Sequence, residues 1–112
     1  MNILDRVVAH YNQKEVTRIE VPEWPDENGK PTVMFSQPWS LEDRRKLVRA
    51  SSEDENEFLI RLLILKLEDE NGEKVFDLSH KPALLKKADP NIVSRITGQI
   101  MKSLSVEEQS GN

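Results

Sequence analysis

The segment that most constrains this chain is FLIRLLILKLEDENGEKVF, which runs from Phe58 to Phe76. Between Phe58 and Leu67 only Arg61 and Lys66 are charged, so much of the apolar material of a small, polar chain lies in one element. Read as a helix, this element carries apolar side chains nearly all round its axis. It is therefore either the core on which the other elements fold or a surface that holds a partner.

The length and leucine content of this element predict a helix over about residues 53–68. An S-x-x-E capping box, formed by Ser52 and Glu55, places its N-terminus. A strand alternative pairs residues 62–67 with residues 74–78 across the turn at Asn71-Gly72. The sequence favours the helix and leaves the strand open.

Length and composition predict one domain without a disulfide. The 112 residues include no cysteine, 16 basic and 20 acidic side chains, with a formal net charge of −4. Because both signs are interspersed, binding to nucleic acid is disfavoured. The N-terminus has neither the charge pattern of a signal peptide nor a run of about 20 apolar residues, so no membrane association is expected. We expect a globular domain over residues 1–105 and a flexible tail over residues 106–112.

The remaining periodicities predict an α+β fold that is mostly helical. A short N-terminal helix precedes a β-hairpin, over about residues 16–22 and 32–36, that packs on four helices. These helices cover about residues 40–50, 53–68, 80–87 and 90–104. Ser40 caps the first of them, with Leu41, Leu47 and Val48 pointing inward, and Ser79 caps the third. Two DENG tetrapeptides, at residues 26 and 69, predict two similar turns.

No arrangement of residues suggests catalysis, a cofactor or a metal. The two histidines, His10 and His80, lie in separate elements without further ligands at metal-binding spacing. The acidic loop that begins at Asp69 lacks the ligand spacing of a calcium loop, and the chain has no nucleophile elbow and no glycine-rich phosphate loop. We therefore expect a protein that is not an enzyme.

Apolar and aromatic side chains are the candidates for binding a partner. The two tryptophans are either exposed anchors or indoles that close the ends of a small core. The helix over 53–68 and the stripe on the last helix are either core or the floor of a protein-binding or self-association surface. The candidate residues are Trp24, Trp39, Leu59, Leu62, Leu63, Ile92, Ile96 and Ile100.

The order of motifs resembles the tail assembly chaperones of long-tailed bacteriophages. In that family a strand ends in a V-P-E-W-like motif, here Val21 to Trp24, and a second extended segment, here Val33 to Phe35, leads into an acidic helix start. A leucine-rich helix then enters a D-E-x-G turn, here residues 69–72, followed by an aromatic residue. A last amphipathic helix ends in Leu-Ser at residues 104–105. The likeness covers about three-quarters of the chain.

The resemblance implies a non-enzymatic role in building the tail of a phage or prophage. Proteins of that family bind the tape measure protein and the tail tube subunits in the host cytoplasm, and they are absent from the finished virion. A longer form made by ribosomal frameshifting is common in the family. The alternative is a small regulatory or DNA-binding adaptor, whose contact face would carry Lys86, Lys87, Arg95 and Lys102.

Overall fold

The computed structural model describes the backbone of residues 2–50 and 54–110 and the side chains as far as residue 104. It confirms the predicted α+β fold, in which helices dominate. The helices are α1 (Ile3–Gln13), α2 (Leu41–Ala50), α3 (Glu55–Lys66), α4 (Lys81–Lys87) and α5 (Pro90–Ser110). The strands are β1 (Thr17–Pro25), β2 (Pro31–Ser36) and β3 (Leu67–Glu68), and a 3₁₀ turn covers Leu78–His80.

The core forms where the sheet, α3 and α5 meet. Its side chains are Ile19, Val21, Met34, Trp39, Ile60, Leu62, Leu63, Leu67, Val93, Ile96 and Ile100. The period of two in β1 turns Ile19 and Val21 to this side, while the i, i+3, i+4 spacing of α5 supplies the stripe from Val93 to Ile100. The predicted helix over 53–68 is thus the central element of the fold, and the strand alternative is realised only over Leu67–Glu68.

The helix starts follow from short polar side chains. Ser40 and Asp43 form the reciprocal capping box at α2, with the Asp43 amide donating to Ser40 Oγ at 3.1 Å and the Ser40 amide donating to Asp43 Oδ2 at 3.3 Å. Asp54 caps α3 by accepting from the Glu57 amide at 2.9 Å. Ser52, the predicted cap of that helix, lies outside the described residues.

The sheet is antiparallel, in the order β1-β2-β3. β1 does not end at Pro22 as predicted but continues to Pro25, with its register shifted between Val21 and Pro25. Proline cannot donate to a strand ladder, and it is tolerated here because β1 is an edge strand with an irregularity at this point. The pairing of β3 with β2 was not predicted, since two residues are too few to produce a periodic pattern.

The two DENG segments form the same turn, as predicted. In each, the aspartate carboxylate accepts two backbone amides, those of Asn28 and Lys30 in the first turn and those of Asn71 and Glu73 in the second. Each glycine has a positive φ, 77° at Gly29 and 80° at Gly72, which a residue without a Cβ adopts at little cost. The first turn joins β1 to β2, and the second returns the chain from β3 so that Lys74 bridges to Glu68.

Two predicted details of the helices, the inward face of α2 and the cap before α4, are wrong. Leu41 and Val48 do not point inward but are 84% and 64% exposed, because α2 contacts the body of the protein along a narrower stripe that includes Leu47. The 3₁₀ turn before α4 is capped by Asp77 rather than Ser79, since the Asp77 carboxylate accepts from the Ser79 amide.

The last helix is longer than predicted. It runs to Ser110 rather than ending near residue 104, and residues 111 and 112 lie outside the described range. That residues 106–112 form a flexible tail stays a prediction.

The contrast between α3 and α2 predicts very different costs for the same substitution. Leu63 is 0% exposed in α3 and Leu41 is 84% exposed in α2. We expect Leu63→Ala to lower the free energy of unfolding by about 3 kcal/mol, because it removes buried methyl groups and leaves a cavity. Leu41→Ala, the matched control, should change it by less than about 0.5 kcal/mol. Urea denaturation followed by circular dichroism measures both, and equal effects would contradict the burial of α3.

A bidentate ion pair joins the end of β1 to α5. Both terminal nitrogens of Arg95 donate to the Glu23 carboxylate at 2.7 Å. This hydrogen bonding lowers the pKa of Glu23 from its usual 4.5 to about 2. A carboxylate with a lowered folded-state pKa contributes stability that is complete above about pH 4.5 and is lost as the pH falls toward 2.

Acid should therefore lower the stability of the wild type more than that of variants that lack this pair. We expect the loss of urea resistance between pH 7 and about pH 3 to be smaller in Glu23→Gln, because glutamine has no charge to lose. Arg95→Gln should show the same reduction, since the guanidinium causes the shift. If both variants lose as much resistance as the wild type over this range, the pair does not contribute to acid sensitivity.

Candidate partner-binding site

The structure divides the eight candidate residues between the core and its border. Fully buried are Trp39, Leu62, Leu63, Ile96 and Ile100. Half-buried and packed against the core are Trp24, Leu59 and Ile92. Trp39 closes one end of the core, where its indole Nε1 donates to the Ile100 carbonyl at 3.2 Å. In the folded chain the buried five hold the core together, and binding of a partner by any of the eight stays a prediction.

An apolar groove opens beside α3. Its walls are α2, α3 and the segment from Lys74 to Ser79, and its volume is about 750 Å³. The floor consists of apolar side chains from all three walls: Leu47, Leu62, Ile64, Leu65, Phe76 and Leu78. We call this the α2–α3 groove. Most of its floor is half-buried, and Leu78 is 57% exposed at its edge.

The groove exists because α3 is apolar on more sides than the fold covers. Leu62 faces the core and also touches the groove, while Ile64 and Leu65 lie on the adjoining faces of the helix. The sequence contained this signal in the apolar residues that encircle α3. It did not reveal that Leu47, Phe76 and Leu78 would complete the surface, because they lie outside α3 and only the fold brings them beside it.

Cationic side chains predominate around the groove. Among the residues that the structure describes, its lining includes four cations, Lys46, Arg49, Arg61 and Lys74, and one carboxylate, Asp77. Lys74 is also engaged locally, donating to the Leu65 carbonyl at 2.6 Å and lying 3.8 Å from Glu68 Oε2. The cationic excess stands out in a chain whose formal net charge is −4.

Trp24 contacts the groove through one of its lining residues. Its ring meets Phe76 edge-on, with 6.5 Å between the ring centroids, and Phe76 lines the floor. Phe76 in turn meets the His80 ring edge-on at 6.0 Å. Of the two tryptophans, Trp24 is therefore the one in contact with the candidate surface, through an aromatic neighbour.

A buried ion pair fixes the wall formed by α2. Lys66 at the end of α3 is 2% exposed at its side chain, and its Nζ lies 2.8 Å from Asp43 Oδ2 in the first turn of α2. The same ammonium donates to the Pro38 carbonyl at 3.4 Å and lies 4.7 Å from the centroid of the Trp39 ring. Because α2 buries no residue of its own, this pair contributes much of what orients α2 beside α3.

A second apolar surface lies on α1. Ile3, Leu4, Val7 and Val8 are between 50% and 74% exposed, and none of the helix's residues is buried. Tyr11 connects α1 to the body, since its hydroxyl donates to the Pro38 carbonyl at 3.0 Å. Burial raises the pKa of the Tyr11 phenol above its usual value, and the charges of Asp43 and Glu68 raise it further. The predicted N-terminal helix is thus present, but its apolar stripe does not pack into the core.

The described residues offer little for other kinds of chemistry. Among them there is no cluster of three or more histidine, cysteine or acidic side chains that could hold a metal ion. His80 has a structural role, because its Nδ1 accepts from the Asp77 amide at 3.0 Å. Of the helices in the described part of the chain, none combines the length and the apolar content that crossing a membrane requires.

The face predicted for a DNA-binding adaptor is altered by one contact. Arg95, one of its four cations, is held by Glu23 in the bidentate pair described above. A phosphate would have to compete with that carboxylate for the guanidinium.

The fold is similar to that of a solved phage protein. The structure of the bacteriophage HK97 tail assembly chaperone superposes with a TM-score of 0.52 and 15% sequence identity, over 88% of this chain and 98% of that one. No family model and no curated protein matches the sequence. At this identity the likeness shows a common fold, and this fold is shared with a protein of the kind that the motifs resemble.

The buried ion pair between Lys66 and Asp43 predicts that loss of the carboxylate costs more stability than loss of the ammonium. We expect Asp43→Ala to lower the free energy of unfolding by about 3 kcal/mol, because it leaves the Lys66 ammonium buried beside a single carbonyl and removes half of a capping box. Lys66→Met should cost less, since the Asp43 side chain is 22% exposed and can be hydrated.

The neighbouring Glu42 offers a control. It pairs with Arg45 at 2.5 Å on the exposed face of α2, so Glu42→Ala should cost no more than about 0.5 kcal/mol. Chemical denaturation compares the three variants. A loss in Glu42→Ala equal to that in Asp43→Ala would mean that the Lys66 pair has no special role.

Proposed function

We propose that this protein is a tail assembly chaperone of a long-tailed phage or prophage. In this role it binds the tape measure protein and the tail tube subunits while the tail is built, catalyses no reaction, acts in the host cytoplasm and leaves before the virion is complete. Two observations support the proposal: the fold shared with the HK97 chaperone over 88% of the chain, and the apolar α2–α3 groove. The groove is the observation that carries it, because it supplies a surface on which an apolar helix can lie.

The groove has the properties that temporary masking requires. A long helical protein exposes apolar side chains until its partners surround it, and such side chains promote aggregation. A groove with an apolar floor covers them, while charges at its rim keep both the free and the occupied chaperone soluble. Tube subunits can then take over the same apolar surface.

The size of the surface favours release. Protein interfaces that bury less than about 1,200 Å² belong mostly to transient encounters. A groove of about 750 Å³ has room for a short stretch of one helix, which fits a contact of this transient kind. Several chaperone chains along one tape measure protein would give sustained protection while each could still be displaced.

Co-expression with the tape measure protein of the same phage tests this function. We expect the tape measure protein to be soluble and to co-purify with the wild-type chain, and to be largely insoluble without it. Leu78→Ser, at the edge of the groove, should reduce recovery several-fold, because a serine removes apolar contact area without a need to repack the core.

Leu41→Ser is the matched control for that experiment, since Leu41 is exposed on α2 and does not line the groove. It should recover as much tape measure protein as the wild type. Equal solubility of the tape measure protein with and without the chain would refute the chaperone role.

A further inference from the structure

We infer that the α2–α3 groove is selective for an amphipathic helix whose apolar stripe is flanked by glutamate or aspartate. This inference rests on the proposed function and adds to it the chemistry of the segment that is bound and the surface that binds it. It follows from the apolar floor, the open form of the groove and the sign of the charges around it.

The floor fits the apolar stripe of a helix. Its side chains come from two helices and the segment from Lys74 to Ser79, and they form a trough rather than a closed cavity. Helices that bind in such troughs insert side chains spaced i, i+3 or i+4, and i+7. Leucine-sized anchors would meet Leu47 and Ile64 along the middle and Leu78 at the edge.

The charges decide what flanks that stripe. Lys46 and Arg49 on α2, Arg61 on α3 and Lys74 on the third wall place cations on every wall of the groove, and Asp77 is the one carboxylate among the described lining residues. Residues beside the apolar stripe of a bound helix would lie within a few ångströms of these groups. Acidic flanks would be attracted and basic flanks repelled, and opposed like charges at an interface are a strong source of selectivity.

The overall charge of the chain makes this selectivity local. With a formal net charge of −4, the protein as a whole repels acidic segments at long range. Attraction therefore depends on the rim cations within a Debye length of about 8–10 Å. The preference should disappear when those cations are reversed, whereas reversing a cation elsewhere on the surface should leave it intact.

Two synthetic helical peptides provide the test. Each has about 18 residues, roughly 27 Å of helix, with the same leucine stripe, and the flanking positions are glutamate in one and lysine in the other. Fluorescence anisotropy with the full-length protein measures both affinities. We expect the glutamate peptide to bind on the order of tenfold more tightly at low salt, and the difference to shrink as salt rises from about 0.05 M to about 0.5 M.

Charge reversals locate the binding. Lys46→Glu should weaken binding of the glutamate peptide several-fold and strengthen binding of the lysine peptide. Lys102→Glu makes the same charge change on α5, at an exposed lysine outside the groove, and should leave both affinities near the wild-type values. Leu78→Ser should weaken binding of both peptides equally, because it changes the apolar lining of the groove and no charge.

The outcomes separate this inference from the proposed function. Equal affinity for the two peptides, or equal effects of Lys46→Glu and Lys102→Glu, would overturn the acidic-helix specificity. The inference would also be overturned, in favour of a lipid site, if excess unlabelled peptide displaced neither labelled peptide and a fatty acid bound saturably. If Lys46→Glu recovers as much co-expressed tape measure protein as the wild type, the chaperone role stands and the proposed selectivity of the groove fails.

Discussion

The buried ammonium of Lys66 is the interaction on which the arrangement of the other elements depends. It ends α3, pairs with the carboxylate that caps α2, donates to the connection after β2 and lies over the indole of Trp39. Trp39 in turn donates to the backbone of α5. One cation therefore relates the sheet, α2, α3 and α5. A buried charge is costly unless every bond to it forms, so the four elements have a strong preference for one relative placement.

The sequence allowed the elements to be predicted where local chemistry determines them. The Ser40 cap, the two DENG turns and the apolar periodicity of α3 and α5 depend on residues a few positions apart, and all are present as expected. The wrong details arise where tertiary contacts decide. An apolar residue on an amphipathic helix such as Leu41 carries no local signal of whether another element will cover it.

The same distinction applies to the candidate site. Core residues such as Leu63 and Ile96 are binding candidates in the sequence because they are apolar and periodic, yet periodicity indicates burial more directly than it indicates binding. The groove takes its floor and its charges from α2, α3 and the segment after β3, which only the folded chain brings together. What the sequence did show was an excess of apolar surface on α3, and the groove is where that excess reaches solvent.

The two tryptophans give the protein a pair of built-in optical reporters with different sensitivities. Trp39 is sealed beneath a cation and bonded to a helix carbonyl, so its emission should follow global unfolding. Trp24 is half-buried and touches the groove through one phenyl ring, so its emission should respond when that ring is pushed by an occupant. Ligand capture can thus be followed in the unlabelled molecule, separately from the integrity of its interior.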